Sequence, residues 1–564
     1  MSSTDRVTGK RVAVVTGGAA GIGAAIAEDL ARTGTVVVTL DPGVSLDGSA
    51  RWRSAGPTTA ERIVAAGGSA RAAEISVSDR PAVTHLFESL VEEFGRLDAV
   101  VNVAGISRPT GFAKGGESDW AAVLDVHLGG YLTVLEAALP LMAAAGRGRI
   151  VGVTSGSGWR AADAGAYSCA KRAVAALTWQ IGPAAPDGVT VNALSPIAAT
   201  RMVAGRISRD PGTVASPPSD TGGVALGAMP PPDHLGPIGT YLAGEQFAWC
   251  RGEVIFSNGE ELAVVTPPAL IEVCRTSGSR SLAHVVGSAV ETAFVPAEEA
   301  QATTGGGIPR FAAVFATMPP QSSPAPGATN CLAVTDRDHW DGLFRGLLPE
   351  RGLTVSRINE TSARPAPGSS RGWFDTASDH LMRSTSETDP ITSVVLALGG
   401  DRPHAGADLY AWQRILAEHS GLADLILADA AWIRAAADYA RSINRPVRVV
   451  VLTEAITAGG RSRAQAVAQL CRAAHTATDG LVDAFPVSIE SIGTADRRAA
   501  AELAAHLLRS DGVASMSGAE LVVGAGWLGL RSHPRASNSI TFGGPELPEW
   551  LDGALRAILG RPGF

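Results

Sequence analysis

The sequence predicts an α/β protein made of two tandem units, each a parallel sheet covered by helices on both faces. Three observations predict it. Short apolar runs alternate with stretches of helical period across residues 12–265, and again from Cys331 onward. Proline- and glycine-rich sequence breaks that rhythm between residues 266 and 330. The chain has 564 residues, beyond the roughly 250–300 that a single hydrophobic core serves.

In the first unit, residues 12–16 form an apolar run that reads as a strand. Ile22, Ile26 and Leu30 then recur every four residues, and Gly34 ends that helix. Further strands are expected at 36–40, 97–103, 149–153 and 189–194, with helices between them. Uninterrupted apolar strands of this kind belong to a sheet buried on both faces. Residues 266–330 carry Pro267-Pro268, Gly305-Gly306-Gly307 and Pro319-Pro320, and read as a linker holding one helix at 281–294. In the second unit, strands are expected at 331–335, 353–358, 393–398, 447–453 and 482–489. Both units end alike: Gly252-Glu253-Val254 leads to Asn258-Gly259, and Gly518-Ala519-Glu520 leads to Ala525-Gly526. That likeness suggests a duplicated unit. A helical tail is expected at 548–559. The expected boundaries are therefore 1–265, 266–330 and 331–564.

Composition excludes several classes. Against 47 basic residues stand 55 acidic ones, and the net charge of −8 argues against a general nucleic-acid or anionic-membrane surface. The five cysteines (169, 250, 274, 331 and 471) show no C-x-x-C spacing, so a reducing, cytoplasmic setting without structural zinc is expected. Residues 1–10 lack the apolar core of a signal peptide. The best membrane-span candidate, 128–146, is interrupted by Glu136 and Pro140 and reads as a buried helix. His404, His419, His475 and His506 have no histidine four residues away, so no metal site is expected.

Between the first strand and the first helix lies Thr16-Gly17-Gly18-Ala19-Ala20-Gly21-Ile22-Gly23. Glycines there allow a tight turn and let a diphosphate approach the N–H groups of the following helix. Ordinary strand-to-helix turns use the same residues, but the strand before and the helix after are the context that nucleotide binding requires. Asp41 ends the second strand, twenty residues after Gly21. A carboxylate there accepts both hydroxyls of an adenosine ribose and repels a 2′-phosphate. No Arg or Lys lies in the glycine stretch, so NAD is favoured over NADP. Asp41-Pro42-Gly43 is also a plain turn sequence.

Tyr167 and Lys171 stand four apart, on one helical face. An ammonium beside a phenol favours the phenolate, as an acid–base group acting on an alcohol or ketone oxygen requires. Five tyrosines and only three lysines (Lys10, Lys114 and Lys171) give roughly 0.03 chance pairs at this spacing. Ser155 precedes Tyr167 by twelve residues, just after an expected strand. Its hydroxyl could hold the reacting oxygen; Ser157 is a rival, and a turn serine is the plain alternative.

Taken together, Thr16 to Gly23, Asn102-Val103-Ala104-Gly105, Ser155, Tyr167 with Lys171, and Val191-Asn192-Ala193-Leu194-Ser195-Pro196 follow the order of the short-chain dehydrogenase/reductase family. The resemblance covers roughly residues 8–262. It implies a Rossmann-like, doubly wound fold and NAD(P)-dependent interconversion of an alcohol and a carbonyl. By that resemblance Tyr167 is the acid–base group, Lys171 holds the nicotinamide ribose and assists the tyrosine, and Ser155 positions the substrate oxygen. Thr16, Gly17, Gly21, Ile22, Gly23, Asp41, Ser76, Val77, Asn102, Ala104, Gly105, Pro196 and Thr200 would line the cofactor. Two stretches, Asp41 to Gly48 and Asp125-Val126-His127-Leu128, are similar to the hydroxyacyl-CoA dehydrogenase part of peroxisomal multifunctional enzymes. Three features depart from the family. His127 stands where asparagine is usual, either as a catalytic residue in the proton relay behind Lys171 or as a core histidine; Ser76 stands where aspartate is usual, and the loop before Tyr167 (162–166) is one residue short.

The second unit keeps the rhythm without the chemistry. Its first strand leads into Thr335-Asp336-Arg337-Asp338, with no glycine, and no lysine follows position 171. It resembles a degenerate copy of the first domain, with a structural role, pairing with it inside one chain; the alternative is a substrate-binding or partner-docking domain. Two functions follow. The first is an NAD-dependent oxidoreductase or ketoreductase acting on a hydroxyacyl, steroid or polyketide-like substrate held near residues 202–232. The alternative is an NAD-binding regulatory or scaffold protein with vestigial catalysis. A small-molecule substrate, no nucleic acid or membrane partner, and a possible homodimer are expected.

Overall fold

The computed structural model describes residues 9–52, 56–159, 165–201, 230–277, 281–302, 330–358, 365, 372–385, 390–399 and 408–560. Among them are seventeen strands in two sheets. The first half supplies β1 (Val12–Thr16), β2 (Val36–Leu40), β3 (Ser69–Ala73), β4 (Ala99–Asn102), β5 (Gly148–Val153), β6 (Val189–Pro196), β7 (Val254–Ser257) and β8 (Glu261–Thr266). Next come β9 (Leu270–Arg275), β10 (Asn330–Thr335), β11 (Thr354–Ile358), β12 (Ser393–Ala397), β13 (Val447–Glu454) and β14 (Val482–Ile489). The last are β15 (Glu520–Gly524), β16 (Trp527–Arg531) and β17 (Arg535–Thr541).

The first sheet runs β17-β8-β7-β6-β5-β4-β1-β2-β3, parallel from β3 through β7. β1, β2 and β5 are buried along their whole length, as strands covered on both faces must be. Strand order reverses between β1 and β4, which opens a crevice at their C-terminal ends, where doubly wound sheets bind ligands. The second sheet runs β11-β10-β12-β13-β14-β15-β16-β9. Its parallel part repeats the order β2-β1-β4-β5-β6-β7 of the first, with no counterpart of β3 among the described residues.

The expected linker is only partly one. β9 lies within it and pairs antiparallel with β16, at the edge of the second sheet. Reciprocally, β17 from the C-terminal half pairs antiparallel with β8 in the first sheet. The helices Leu282–Ala289 and Val295–Ala302, joined by a π turn at Val290–Phe294, cover the second half, where Val286, Val290 and Phe294 join its core. The C-terminal helix Leu551–Ile558 docks on the first half, with Leu551 and Leu555 in that core and Asp552 accepting from Tyr241 and Trp249. The expected boundaries missed this because Pro267-Pro268 marks a turn between two strands of different sheets, not the end of a unit.

A single apolar cluster joins Tyr131, Leu135 and Val174 of the first half to Trp432, Ile433 and Val467 of the second. The helices Gly165–Ala184 and Ala458–Ala477 meet along this seam. Arg172 and Gln465, each the eighth residue of its helix, bond to one another (Nε to Oε1, 2.9 Å). Contact between equivalent positions is what a two-fold pairing of helices produces. The run Glu117–Ala145 is long and apolar enough to cross a membrane by length and composition, and 61% of that window is buried inside the fold.

Candidate active site

The glycine stretch closes on the crevice. The helix Gly21–Arg32 starts from Ala20 with no side-chain cap and no acid in its first turn, which leaves its first N–H groups facing the loop. A methyl group on Gly23 would lie 2.3 Å from Gly17 O, so only glycine lets the helix start this close to the loop. Thr16 Oγ1 donates to Asn102 Oδ1 (2.8 Å) and accepts from Ala104 N (3.1 Å), tying β1 to the end of β4. Gly21 faces Thr200 across the opening, with Thr200 Cγ2 3.8 Å from where a Cβ on Gly21 would stand. Ile22 is half-buried beside them.

Asp41 follows β2 and turns its carboxylate toward the loop. Oδ2 accepts from Ala19 N (3.3 Å) and Oδ1 from Gly43 N (2.9 Å). Ser76 caps a local turn by accepting from Ser78 N (3.2 Å), and Val77 is buried against Gly130. Pro196 ends β6, and Thr200 sits four residues beyond it. These residues fit a dinucleotide: a bare helix N-terminus for the diphosphate, and a carboxylate near the ribose position.

The helix Gly165–Ala184 brings Tyr167 and Lys171 onto one face. Lys171 Nζ donates to Val153 O at the end of β5 (2.6 Å) and stands 5.8 Å from the Tyr167 ring centroid. Burial lowers the Lys171 pKa to about 7. His127 meets the Tyr167 ring edge-on, with centroids 5.0 Å apart. It lies in a π turn, Asp125–Gly129, that widens the helix at this point. Its Nε2 sits between the carbonyl and the N–H of Ile106 (2.9 and 3.2 Å), and a Cβ on Gly105 would strike the ring at 2.4 Å. Burial first, and the Lys171 charge second, lower the His127 pKa to about 3, so it is neutral.

Ser155 follows β5 and caps the short turn Gly156–Gly158. Its hydroxyl accepts from Ser157 N (3.2 Å) and donates to Ser157 Oγ (3.3 Å), so the expected rivals lie side by side. The structure thus gathers His127, Ser155, Tyr167 and Lys171 at the C-terminal end of the first sheet, beside the glycine crevice. Of the shortened loop before Tyr167 (162–166), residues 162–164 lie outside the described residues and Gly165 and Ala166 open the helix; most of the expected substrate loop (202–229) also lies outside them. Sequence reasoning passed over Arg172, Gln469, Arg472 and Glu520, which surround the Ser155 turn; no motif marks them.

A family model, "short chain dehydrogenase", matches residues 11–210. The short-chain reductase protein NovJ of Streptomyces niveus is 35% identical over 258 residues, covering 45% of this chain and 94% of that protein. The hydroxyacyl-CoA dehydrogenase ChsB1 of Mycobacterium tuberculosis is 32% identical over 279 residues, covering 47% of this chain and 83% of that protein. The second half has a counterpart in fold: the N-domain of a bacterial malonyl-CoA reductase covers 92% of this chain and 98% of its own, with TM-score 0.60 and 16% identity. Through its first half, the chain belongs to the short-chain dehydrogenase/reductase family of oxidoreductases.

Proposed function

We propose that the chain interconverts a secondary alcohol and a ketone by hydride transfer with NAD, using the first half alone for chemistry. The observation that carries this is the Tyr167–Lys171 face, set against a neutral His127 at the mouth of the glycine crevice. A bound nicotinamide supplies the hydride acceptor or donor. Tyr167 Oη moves the proton on the substrate oxygen, and Ser155 Oγ holds that oxygen by a hydrogen bond. Lys171 stays anchored on Val153 O, and its ammonium, 5.8 Å from the Tyr167 ring centroid, favours the phenolate.

Asp41 supports NAD over NADP, because a 2′-phosphate would meet its carboxylate where a ribose hydroxyl is welcome. The name of ChsB1 supports a hydroxyacyl thioester as substrate. The second half is read as a degenerate, non-catalytic copy. The five cysteines stand as free thiols, which supports a reducing cytoplasm.

The test is Tyr167→Phe, assayed with acetoacetyl-CoA and either NADH or NADPH. Turnover should fall by at least about a thousandfold, with NADH affinity nearly unchanged and NADH preferred in the parent chain. Wild-type turnover in the variant would overturn the assignment. Tight NADH binding without turnover by the parent on hydroxyacyl, steroid and polyketide-like ketones would favour a vestigial, NAD-binding role.

A further inference from the structure

The turn that carries Ser155 is held by the other half of the molecule. Three consecutive carbonyls follow that serine, and each accepts a hydrogen bond from a long side chain. Gln469 Nε2 donates to Ser157 O (3.2 Å), Arg172 Nη1 to Gly158 O (3.1 Å) and Arg472 Nη1 to Trp159 O (3.2 Å). Gln469 and Arg472 belong to the second half. Arg172 belongs to the first, but its guanidinium is fixed from across the seam. Its Nε donates to Gln465 Oε1 (2.9 Å), its Nη2 pairs with Glu520, and Gln465 Nε2 donates to the other Glu520 oxygen (2.6 Å).

Gln465, Gln469 and Arg472 stand at i, i+4 and i+7 of the Ala458–Ala477 helix, so one helical face presents all three. The inner side of the turn is already committed. Ser157 N donates to Ser155 Oγ, Gly158 N to Ser155 O and Trp159 N to Gly156 O. The turn is therefore fixed on its amide side by Ser155 itself and on its carbonyl side by the second half. A shift of these carbonyls carries Ser155 Oγ with it. The service runs one way. At the positions of the Gly165–Ala184 helix equivalent to Gln469 and Arg472, the first half has Ala176, which has no donor, and Trp179. The Nε1 of Trp179 has no acceptor among the described residues.

We infer that Gln469 and Arg472, with Glu520 acting through Arg172, are positioning residues that set Ser155 for the reaction, so the non-catalytic half is a working part of the active site. This rests on the reading of Ser155 and Tyr167 given above. A displacement of about an ångström at a reacting group is worth about a hundredfold in rate.

The experiment uses the full chain carrying Gln469→Leu, Arg472→Met, both together, and Arg472→Lys. Amide hydrogen exchange is followed at Ser157, Gly158 and Trp159, with the Gly21–Arg32 helix as internal control. kcat and KM are measured with acetoacetyl-CoA and NADH. In the double variant, exchange at 157–159 should quicken by about tenfold or more while the control helix is unchanged. kcat should fall by about ten- to a hundredfold, with KM for NADH within about twofold, and Arg472→Lys should recover most of the Arg472→Met loss. Unchanged exchange at 157–159 overturns the inference, since the second half then does not hold the turn. Faster exchange with unchanged kcat also overturns it, since the turn then needs no positioning. A uniform rise in exchange across the control helix as well would mark general loosening and likewise count against it. Tyr167→Phe, run in parallel, should keep wild-type exchange at 157–159. Full turnover in that variant would defeat the reading of the site and leave the exchange result standing on its own.

Discussion

At the end of β1 the chain reads Thr16-Gly17, and at the end of β10, in the same place of the second sheet, it reads Thr335-Asp336. Both threonines tie their strand to its neighbour, Thr16 through Asn102 and Thr335 through Ala397 O (2.9 Å). The next residue separates the halves. Gly17 leaves the crevice open, whereas Asp336 reaches across it and accepts from Gly399 N (2.7 Å). Arg337 lies over the same gap, with its Nε 2.4 Å from where a Cβ on Gly399 would stand. The first helix has no acid in its first turn; its counterpart, Asp338–Glu350, has Asp338 and Asp341 there. The first crevice is left open by Gly17, and the second is bridged by its own side chains, with Asp338 and Asp341 in the first turn of its helix.

The central helices repeat the contrast. In the first half a single buried lysine points at a carbonyl, beside a neutral histidine and a tyrosine. In the second, Arg463 forks onto Asp429 (2.8 and 2.6 Å) and donates to Leu398 O (2.6 Å). There the buried charges of Arg463 and Asp429 answer one another. A buried charge without a partner costs stability, and breaking a buried pair leaves such a charge behind.

The largest effect that could break this comparison is on cofactor stoichiometry. The chain should bind one NADH per molecule in calorimetric titration, and Gly23→Ala should remove it altogether, because the new Cβ would sit 2.3 Å from Gly17 O. Residual binding of one NADH in that variant would mean that the second crevice opens, and that Asp336 does not seal it.

Next in size is the central cell. Arg463→Met strips Asp429 of its partner and should cost about 3–5 kcal/mol in urea unfolding, without moving the NADH affinity of the folded fraction. Lys171→Met should do the reverse, abolishing turnover while changing the urea midpoint much less. If the two variants changed places, the division of labour between the halves would be wrong.

Much of this was legible in the sequence, for a physical reason. Strands buried on both faces are continuous apolar runs, so β1, β2 and β14 fall where their residues predict. Tyr167 and Lys171 stand out because the chain has so few of either. β3 (Ser-Ala-Arg-Ala-Ala) has no β-branched residue and is half exposed, so it carries no strand signal of its own. The exchange of β9 and β17 is silent because alternation marks a strand without naming the sheet it joins. The pairs Gln469–Ser157 and Arg472–Trp159 are just as silent, since only the folded seam brings them together.

The smallest expected effect is on pH. His127 is held at about pKa 3 in the fold against an ordinary 6.5, first by burial and then by Lys171. Between those values the unfolded chain binds a proton that the folded chain does not, so stability must rise with pH across that window. Glu520 adds the same sign lower down. Burial would raise its carboxyl, but Arg172, His533 and Gln465 outweigh that and hold it at about 2, against an ordinary 4.5. Its contribution is complete above pH 4.5 and is lost as pH falls toward 2, so from 4.5 to 6.5 the rise belongs to the histidines, opposed by Glu136, whose carboxyl burial raises. Burial also lowers His380 and His506, so His127→Asn should flatten the rise of thermal midpoint over that interval without levelling it. Thermal scans at several pH values, parent against variant, read the difference directly. An unchanged slope would mean that His127 takes up its proton inside the fold, and that the cell around Tyr167 is not the dry, histidine-neutral site that sets the first half apart from the second.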